Sequence, residues 1–441
     1  MQMKNIFEMT LEDQDSWEYK FLEIKNNWPR QTMDLSLDRI KKYLELIHNP
    51  QEDLKVIHIG GTNGKGSTGT FIKSILEKAN LKVGFFSSPA IISDNESIKV
   101  NNDFISYELF TRKLFEILKN WKNNFDVDNF ISFFEATTII ATEFFKEEKV
   151  DIAIFEVGLG GRLDSTNVFS KKMLNIITHI GLDHLGILGN SIEEIALEKA
   201  GIIQEGDLVL AYPIPTEATR VIETKVKEKN GRIFKPDFNK IVNKNVHRKG
   251  STFSYKEFEG IEINLTGENQ IYNSIVAIES TNILRYEYEI KISEKNIRDG
   301  LREAFIPGRL EWIEYKGKEI LLDGAHNQDG MDGFVEFVNG NIDEEFNLVV
   351  GILKDKEYKK MFYKLSKLNC TIYLTEVPVY ERKLEVEEAF ETMQAFNRQD
   401  VYAIEDPIEA VERAIEESGN SPILVTGSLY LISKIRSYLL S

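Results

Sequence analysis

The 441-residue chain contains a single cysteine, Cys370, so it cannot form an intrachain disulfide. Chains without disulfides are typical of a reducing compartment, and we therefore expect a cytoplasmic protein. No apolar run approaches the roughly 18 residues that a membrane-spanning helix requires. The first residues turn acidic at once and lack the apolar segment of a secretory signal. We expect no association with a membrane.

Positive charge is also in short supply. The chain has 54 lysines and arginines against 71 acidic residues, which gives a formal net charge of -17. This balance argues against a broad nucleic-acid surface, which needs a basic face. It does not exclude an anionic small molecule, because a local pocket can oppose the global charge. Hydrophobic residues make up 42% of the chain, which is typical of a globular protein with a substantial core.

Short apolar runs alternate with helical patterns along most of the chain, and this alternation predicts a mostly parallel α/β sheet with helices on both faces. The clearest predicted strands lie at 55–60, 81–86, 150–158 and 175–181, and strand-like runs resume after residue 317. The stretch 231–265 instead shows short alternating segments, which predict an antiparallel flap. We place a domain boundary near 295, with one domain at 1–295 and a second at 296–441.

Residues Gly61 to Ser67 read GTNGKGS between a predicted strand and a predicted helix, which is the context of a phosphate-binding loop. Glycines let the backbone amides turn inward, and the helix N-terminus adds a positive partial charge. Lys65 can then reach the β- and γ-phosphates of a nucleotide. A glycine-rich turn without a ligand is the alternative, but the lysine and the flanking elements argue against it.

Gly66 occupies the position where the usual loop has a serine or threonine hydroxyl that holds Mg²⁺. The metal ligands are therefore expected at other strand ends, where parallel sheets bind their ligands. The segment Ser87-Ser88-Pro89 follows the second strand, and Glu156 lies where the third strand ends. Both offer the hard oxygen atoms that Mg²⁺ prefers.

Two further side chains lie near the predicted crevice. His184 follows a strand end, and we expect a ligand role there rather than the capping or core role of an isolated histidine. Lys199 lies on the predicted helix 191–201, which has Ser191 as N-cap and Gly201 as stop. By its pattern alone, Lys199 is typical of an exposed, salt-bridging lysine.

Nine motifs occur in one order along nearly the whole chain: HIGGTNGKGS, SSP, SFFEATT, EVGLGGRLDSTN, THIGLDHLGILG, IALEKAGI, PGRLEW, LLDGAHN and VTGSLYL. Together they resemble the folylpolyglutamate synthase/dihydrofolate synthase family of the Mur ligase superfamily. The combination of EVGLGGRLD, DH, EKAGI and DGAHN is highly specific. The resemblance implies an N-terminal domain like a P-loop ATPase and a smaller, Rossmann-like α/β domain after it.

The resemblance also implies a reaction, the ATP-dependent formation of an amide. A carboxylate of the pterin substrate attacks the γ-phosphate of ATP, and an acyl phosphate forms as ADP leaves. The amine of L-glutamate then displaces phosphate. Because two anions must approach each other, lysine and metal ions are needed to neutralise charge in the transition state.

The resemblance assigns roles in nucleotide and metal binding. The residues implied to bind ATP are Thr62, Asn63, Gly64, Lys65, Gly66, Ser67, Asn273, Arg309 and Asp323. The residues implied to hold magnesium, expected as two ions, are Ser88, Glu156, His184 and Lys199. Lys199 is implied to carry a carbamate, which turns a cation into an anionic oxygen ligand and reverses the interpretation from its pattern. K⁺ is a further candidate cofactor, and Lys65, Lys199, His184 and Arg309 are the residues implied to act in catalysis.

The resemblance also assigns residues to the other two substrates. Those implied for the pterin substrate are Asp34, Leu35, Ser36, Ser132, Phe133, Phe134, Glu135, Leu163, Asp164 and Ser165. Either phenylalanine could stack on a flat pterin ring, and ordinary core packing is the alternative for both. His326, with Asn327 beside it, is expected near L-glutamate. We expect a monomer that acts on small molecules.

The chain departs from the family pattern at the segment after SSP. Ala90 replaces the usual histidine, and no arginine occurs from 87 to 98, although the family usually has one there. Both cations would be expected to approach an anionic pterin substrate, so their absence concerns that substrate and not the nucleotide. Smaller departures are Asn269, where a histidine is usual, and Ser274, where an alanine is usual.

Several functions remain open at this point. Folylpolyglutamate synthesis is the first hypothesis, and dihydrofolate synthesis, alone or as a second activity, is the alternative. A nucleotide-binding module without ligase activity would predict the loss of Glu156, Arg309 or Asp323, and all three are present. A cell-wall Mur ligase would carry a further domain before the phosphate loop, and the stretch before residue 55 is too short for one.

Overall fold

The structure, a computed structural model, describes residues 6, 16–29, 36–184, 186–213, 215–379 and 381–441. These residues form two compact units, each assembled from separate stretches of the chain. Unit 1 comprises the described residues up to Ile180 together with His184–Pro236 and Val276–Gly300, and unit 2 comprises Gly181–Asp183, Asp237–Ile275 and Leu301–Ser441. The domain boundary near 295 stays a prediction. No helix in the described part of the chain combines the length and the apolar character that a membrane crossing requires.

The helices between the strands are amphipathic, and many begin at a polar N-cap. Their bounds are α1 (Trp17–Asn27), α2 (Asp38–Leu46), α3 (Lys65–Lys78), α4 (Tyr107–Asn124), α5 (Phe133–Glu147), α6 (Ile192–Ala200), α7 (Thr216–Glu228), α8 (Glu268–Tyr288), α9 (Glu294–Glu303), α10 (Gln328–Asn341), α11 (Tyr358–Leu365), α12 (Val386–Ala395), α13 (Pro407–Glu416) and α14 (Leu429–Leu440). Helix α6 shows the predicted signals, since the Ser191 hydroxyl accepts from the Glu194 amide and Gly201 follows the last turn.

Unit 1 contains an eight-stranded sheet in the order β4-β3-β2-β5-β1-β6-β7-β8. Its strands are β1 (Val56–Gly60), β2 (Val83–Phe86), β3 (Ile98–Val100), β4 (Asp103–Phe104), β5 (Ile152–Glu156), β6 (Leu174–Ile177), β7 (Leu208–Ala211) and β8 (Arg232–Phe234). The strand pairs from β2 to β8 in this order are parallel, and the pairs β2–β3 and β3–β4 at one edge are antiparallel. The predicted mostly parallel α/β sheet is confirmed.

The apolar runs of the sequence form the centre of this sheet. β1, β5 and β6 are buried along their whole length, as inner parallel strands covered on both faces should be. Helix α3 packs on β1, β2 and β5. The contact with β2 is close, because a Cβ atom on Gly69 would lie 2.8 Å from the ring of Phe85. The loop that precedes α3 is thereby held at the carboxyl end of β1.

Unit 2 contains two further sheets. A three-stranded antiparallel sheet is formed by β9 (Ile241–His247), β10 (Gly250–Tyr255) and β11 (Phe258–Ile263). It confirms the predicted antiparallel flap, except that the first residues of the predicted stretch form β8 and pair in parallel with β7. This difference follows from α7, which returns the chain to the large sheet as a strand–helix–strand crossover does.

The last third of the chain forms a six-stranded sheet in the order β12-β13-β17-β14-β15-β16. Its strands are β12 (Glu311–Tyr315), β13 (Lys318–Leu322), β14 (Asn347–Val350), β15 (Thr371–Leu374), β16 (Val401–Ala403) and β17 (Ile423–Thr426). Only β12 runs antiparallel to its neighbour. This sheet confirms the prediction of a second α/β assembly in which strand–helix alternation resumes.

Gly69→Ala should lower the free energy of unfolding by about 1–3 kcal/mol, because the added methyl group would overlap the Phe85 ring. Gly340→Ala in α10 is the matched control, since a Cβ there meets no atom within 4 Å. The control should be neutral or stabilising by up to about 1 kcal/mol. Urea unfolding followed by circular dichroism measures both, and equal stabilities would contradict the close packing of α3 on β2.

Candidate active site

The loop after β1 takes its shape from one glycine. Gly61 has φ of 146°, and a Cβ atom built on it would lie 1.9 Å from Oγ1 of Thr178, directly after β6. The Thr178 hydroxyl lies 2.8 Å from the Asn63 carbonyl oxygen and 3.1 Å from that of Gly60. Any residue with a side chain at position 61 would therefore clash with the group that holds the loop.

The loop leads into α3 without a capping side chain. The amides of Thr62 and Asn63 donate to the carbonyl oxygen of His179, at 2.8 and 3.2 Å. Gly64, with φ of 85°, is the N-cap of the helix that starts at Lys65. Because a glycine cap has no side chain, the first-turn amides of α3 stay available to an anion, and the helix dipole adds positive potential there.

Two lysines from distant parts of the chain converge on the carbonyl group of Gly61. The Lys199 ammonium, which is buried, donates to this oxygen at 2.8 Å, and the Lys65 ammonium donates at 3.1 Å. Lys65 also lies 3.2 Å from the Thr62 carbonyl oxygen. The interpretation of Lys199 as an exposed surface lysine is wrong, because the helix α6 turns it toward the loop instead of toward solvent.

The carboxylate of Glu156 lies beside the first turn of α3. It ends β5, is 5% exposed, and has one oxygen 4.0 Å from the Lys65 ammonium. A Cβ atom on Gly66 would lie 3.4 Å from its other oxygen. Because Gly66 has no side chain, it leaves room for the Glu156 carboxylate at the position where the usual phosphate-binding loop has a hydroxyl group. Ser67, one residue further along, is buried.

The other two predicted magnesium ligands lie beyond neighbouring strands. Ser88 follows β2, which pairs with β5, and is half-buried. His184 is exposed in the loop after β6, with φ of 52°, and its carbonyl oxygen accepts from the amides of Ile187 and Leu188 at 3.1 Å. The structure thus brings Lys65, Lys199 and Glu156 into one cluster, and it positions Ser88 and His184 by the strands that precede them.

A buried acid organises the loop GLGGRLDSTN that follows β5. Asp164 accepts from the amides of Leu159, at 2.8 Å, and Thr166, at 3.0 Å. Burial raises the pKa of the Asp164 carboxyl above its usual value, against these hydrogen bonds, which lower it. Oγ1 of Thr166 lies 2.8 Å from Nε2 of His58, a wholly buried residue of β1. Asp164, a predicted pterin contact, therefore also stabilises the loop through hydrogen bonds within it.

Glu135 has a similar local role at the start of α5. Its carboxylate accepts from the Ser132 amide at 2.7 Å, and the Ser132 hydroxyl accepts from the Glu135 amide at 3.1 Å, which completes a capping box. Nε of Arg39 lies 3.3 Å from the same carboxylate, and both side chains are buried. Ser132 and Glu135, two predicted substrate residues, thus cap the N-terminus of α5.

The remaining predicted pterin residues are distributed around this region. Phe133 packs against Phe21 and Trp28, and Phe134 packs so closely on Gly158 that a Cβ there would lie 2.5 Å from its ring. Both rings are half-buried. The Ser36 hydroxyl accepts from the Asp38 amide, and the Ser165 hydroxyl lies 3.2 Å from that of Thr138. Leu163 is half-buried. Asp34 and Leu35 lie outside the described residues.

In unit 2, Asp323 joins two loop segments. Its carboxylate oxygens accept from the amides of Leu310 and Ala325, both at 3.0 Å. Burial raises the pKa of Asp323, although Arg309 and the two amides act to lower it. The Arg309 guanidinium donates to the Gly324 carbonyl oxygen at 3.3 Å. The motifs PGRLEW and LLDGAHN are thereby held side by side.

His326 is neutral in this environment. Burial and the neighbouring cations Lys356 and Arg309 lower its pKa to about 4. Nδ1 lies 2.8 Å from the Gly324 carbonyl oxygen, so this nitrogen carries the proton and Nε2 keeps its lone pair. The Lys356 ammonium donates to Asp183 at 2.7 Å, and both side chains are only 10% exposed.

Two asparagines complete this part of the chain. Asn327 is the N-cap of α10, where its side-chain oxygen accepts from the Gly330 amide at 2.9 Å, and its side-chain nitrogen lies 3.4 Å from Asp183. Asn273 is buried in α8 and donates to Gln270 at 3.2 Å. Both therefore have structural partners as well as predicted ligand roles.

Sequence reasoning missed three polar residues that the structure places beside predicted ones. His58, Asp183 and Lys356 each had a usable signal. His58 is a polar residue within the apolar strand VIHIG, which indicates a buried partner. Asp183 and Lys356 follow strand ends, where ligands of parallel sheets bind. The pairing of Asp183 with Lys356 could not be read from the sequence, because 173 positions separate the two residues along the chain.

Two family models match the chain. The Mur ligase middle domain matches residues 59–281, and the Mur ligase glutamate ligase domain matches residues 308–429. The chain is 33% identical to folylpolyglutamate synthase of Lacticaseibacillus casei, with 94% of this chain and 97% of that protein covered. It is 37% identical to dihydrofolate synthase/folylpolyglutamate synthase of Bacillus subtilis, with 91% and 94% covered.

A solved structure of a folylpolyglutamate synthase complex with AMPPCP, an ATP analogue, and folate is also similar. It has a TM-score of 0.82 and 30% identity, and the match covers 96% of this chain and 100% of that one. The similarity therefore includes the fold and extends over nearly the whole length of both chains. The chain belongs to the folylpolyglutamate synthase/dihydrofolate synthase family of Mur ligases, and it is an ATP-dependent ligase.

Proposed function

We propose that the chain is a folylpolyglutamate synthase, which joins L-glutamate to the γ-carboxylate of a reduced folate and converts ATP to ADP and phosphate. One observation carries the proposal. Lys65, Lys199 and Glu156 converge at the end of β1, beside a helix N-terminus without a capping side chain. This arrangement suits an anionic nucleotide, and the relatives named above are folate ligases over nearly their whole length.

The chemistry proceeds in two steps. A carboxylate oxygen of the folate attacks the γ-phosphorus of ATP, and the bond to the ADP oxygen breaks. The acyl phosphate now carries the leaving group that the carboxylate lacked. The amine nitrogen of L-glutamate, after losing a proton, attacks the acyl carbon, and phosphate departs as the amide bond forms.

The first step brings two anions together, and the chain supplies positive charge where they meet. The Lys65 ammonium can exchange its two carbonyl acceptors for phosphate oxygens, because both acceptors belong to the loop that holds it. The first-turn amides of α3 add fixed partial charges that need no reorganisation during the reaction. Arg309, Asp323 and Asn273 are further proposed nucleotide contacts.

Ser88, Glu156 and His184 would hold a magnesium ion. The donor set fits, because a hydroxyl and a carboxylate are hard oxygen ligands and Gly66 leaves space beside Glu156. When bound, the metal neutralises phosphate charge and polarises the γ-phosphoryl group. Glu156 is the residue on which this site depends most, since it is buried and fixed at the end of β5.

Lys199 would carry a carbamate and so contribute to a second magnesium site. A carbamate nitrogen retains one hydrogen, so the bond to the Gly61 carbonyl oxygen can be kept. K⁺ stays a further candidate cofactor. His326 and Asn327 are the proposed contacts of L-glutamate, and the protein is proposed to act as a monomer.

Dihydrofolate synthesis is the second candidate, alone or in the same site. It is favoured by the similarity to a Bacillus subtilis protein whose name includes both activities. Ala90 points in the same direction, because a pocket that lacks the usual histidine has one cation fewer for a glutamyl tail.

An ADP-release assay separates the two functions. The enzyme should release ADP with tetrahydrofolate only when L-glutamate is present, because the acyl phosphate must be consumed before the cycle repeats. Dihydropteroate, dihydrofolate, tetrahydrofolate and methylenetetrahydrofolate are offered separately, each with and without L-glutamate. ADP release with dihydropteroate plus L-glutamate, and with none of the three folates, would replace the first function by the second. No ADP release with any of the four substrates would refute both functions.

Lys65→Ala and Glu156→Gln should each lower kcat by about a hundredfold or more, because each removes a group that stabilises charge at the transferred phosphate. Glu148→Gln is the matched control, since the Glu148 side chain is 42% exposed and forms an ion pair with Lys82. The control should change kcat by less than about twofold. Steady-state ADP release measures all three, and near-normal turnover of either site variant would remove that residue from the proposed mechanism.

Lys199→Ala should lower kcat by about a hundredfold, and acetate or propionate should restore part of the loss. A small carboxylate can supply the anionic oxygen of the carbamate, but it cannot replace an N–H donor to Gly61. Rescue therefore distinguishes a carbamate from a merely structural ammonium. Chloride at equal ionic strength is the control, and a rate indifferent to the substitution would contradict both roles.

A further inference from the structure

Lys99 lies on the same face of the large sheet as Glu156. It is opposite Phe85 in β2, and Phe85 is in turn opposite Ile154 in β5. Directly opposed residues share a face, and Glu156, two positions after Ile154, shares it as well. The helix α3 covers this face, since Gly69 packs on the Phe85 ring. Lys99 therefore lies on the side of the sheet that α3, the helix after the phosphate loop, covers.

The ammonium group of Lys99 lies beside an aromatic ring and forms no bond to an anion of the described residues. It lies 5.0 Å from the centroid of the Phe85 ring. Among the residues that the structure describes, none forms an ion pair or a hydrogen bond with this ammonium. The neighbouring Lys73 differs, because its ammonium is 2.7 Å from Glu77 and 3.2 Å from the side-chain oxygen of Asn102.

The surroundings of Lys99 make this isolation costly. Burial lowers its pKa to about 8, and the positive charge of Lys73 acts in the same direction, while Glu96, Glu77 and Glu156 act to raise it. The side chain is half-buried, so a ligand can still reach it. A partly desolvated cation without a hydrogen-bonded partner is destabilising in the free protein, and a bound anion would offset that cost.

The sequence around Lys99 offers no other cation. Residues 83–98, which include β2 and the segment after it, contain no lysine, arginine or histidine. Any anion that binds beside this segment must therefore be met by Lys99 or by a residue from another element. The two nearest lysines of α3 on this face, Lys65 and Lys73, already have partners.

The strand order indicates which anion this is. Lys99 is two strands from Glu156, in the order β3-β2-β5, which corresponds to about 10 Å. In the proposed function, the phosphates and the reacting γ-carboxylate bind beside β1 and Glu156. Lys99 would therefore meet a part of the substrate that lies some distance from the reacting carboxylate. A glutamyl tail carries a second, non-reacting α-carboxylate a few bonds away. That group is absent from dihydropteroate, whose only carboxylate is the reacting one.

We infer that Lys99 binds the non-reacting α-carboxylate of the folate's glutamyl tail and so favours tail-bearing folates over dihydropteroate. The inference rests on the proposed function. It makes Lys99 a specificity-determining residue: a cation that forms no hydrogen bond or ion pair with the described residues, next to the segment in which Ala90 replaces the usual histidine and the usual arginine is missing.

The test compares Lys99→Met, Lys99→Arg and, as the matched control, Lys73→Met. Lys99→Met should raise KM for tetrahydrofolate by about tenfold or more, the usual effect of losing a hydrogen bond to a charged group. KM for ATP and for L-glutamate should not change. The KM of dihydropteroate, or its inhibition constant if it is not turned over, should also stay constant. Lys99→Arg should retain most of the affinity, and Lys73→Met should leave every KM near its wild-type value.

Thermal unfolding supplies a readout that does not depend on turnover. Without folate, Lys99→Met should be at least as stable as the wild type, since it removes an unpartnered cation, whereas Lys73→Met should be less stable because it breaks an ion pair. Tetrahydrofolate should raise the Tm of the wild type more than that of Lys99→Met. If Lys99→Met does not fold, Lys99→Gln serves as the neutral variant, and failure of both to fold would overturn the inference.

Each contrary result has its own meaning. An unchanged KM for tetrahydrofolate in Lys99→Met overturns the inference. A raised KM for ATP alone would assign Lys99 to phosphate, and an equal rise for dihydropteroate would assign it to the reacting carboxylate; either outcome overturns the α-carboxylate assignment. A wild-type enzyme that releases no ADP with any folate would refute the proposed function before the variants are compared.

Discussion

The candidate site depends on the backbone of Gly61. Its φ of 146° and its contact with Thr178 admit no side chain, so the peptide can turn its carbonyl oxygen toward two lysines. Lys65 comes from the helix directly after the loop, and Lys199 comes from a helix more than a hundred residues further along the chain. One carbonyl group thus gathers the cations that an anionic substrate needs. The geometry of a single peptide unit links the sheet, both helices and the proposed chemistry.

Several acidic residues within the family motifs stabilise the fold through hydrogen bonds. Glu135 closes a capping box and pairs with Arg39, Asp164 holds the loop after β5, and Asp323 joins two segments in unit 2. Each is buried, and each accepts from backbone amides. A buried carboxylate without such partners would be strongly destabilising. The backbone amides of these motifs therefore hydrogen-bond the buried carboxylates of the same motifs. Glu156 also faces the phosphate loop, since one of its carboxylate oxygens lies 4.0 Å from the Lys65 ammonium.

Much of the fold was predictable because its inner strands are mostly apolar and are buried along their whole length. VIHIG, IAIFE and LNII form the buried centre of the large sheet, and the GTNGKGS loop lies where a strand–loop–helix pattern predicts it. The interpretation of Lys199 from its pattern failed, since helical spacing does not tell which face meets solvent when the helix packs near a loop. The network of His58, Thr166 and Asp164 was not predictable either, because it joins a strand to a loop that is distant in sequence.

The sequence by itself determined the alternation of strands and helices, the phosphate loop and the family, because periodicity, glycine placement and ordered motifs are local properties of the chain. Only the tertiary structure decided that Lys199 is buried against Gly61, that Gly66 makes room for Glu156, and that Lys99 shares a face with Glu156. Those relations depend on strand order and on which side of each strand a side chain occupies. Strand order is a property of the folded sheet, and no local pattern encodes it.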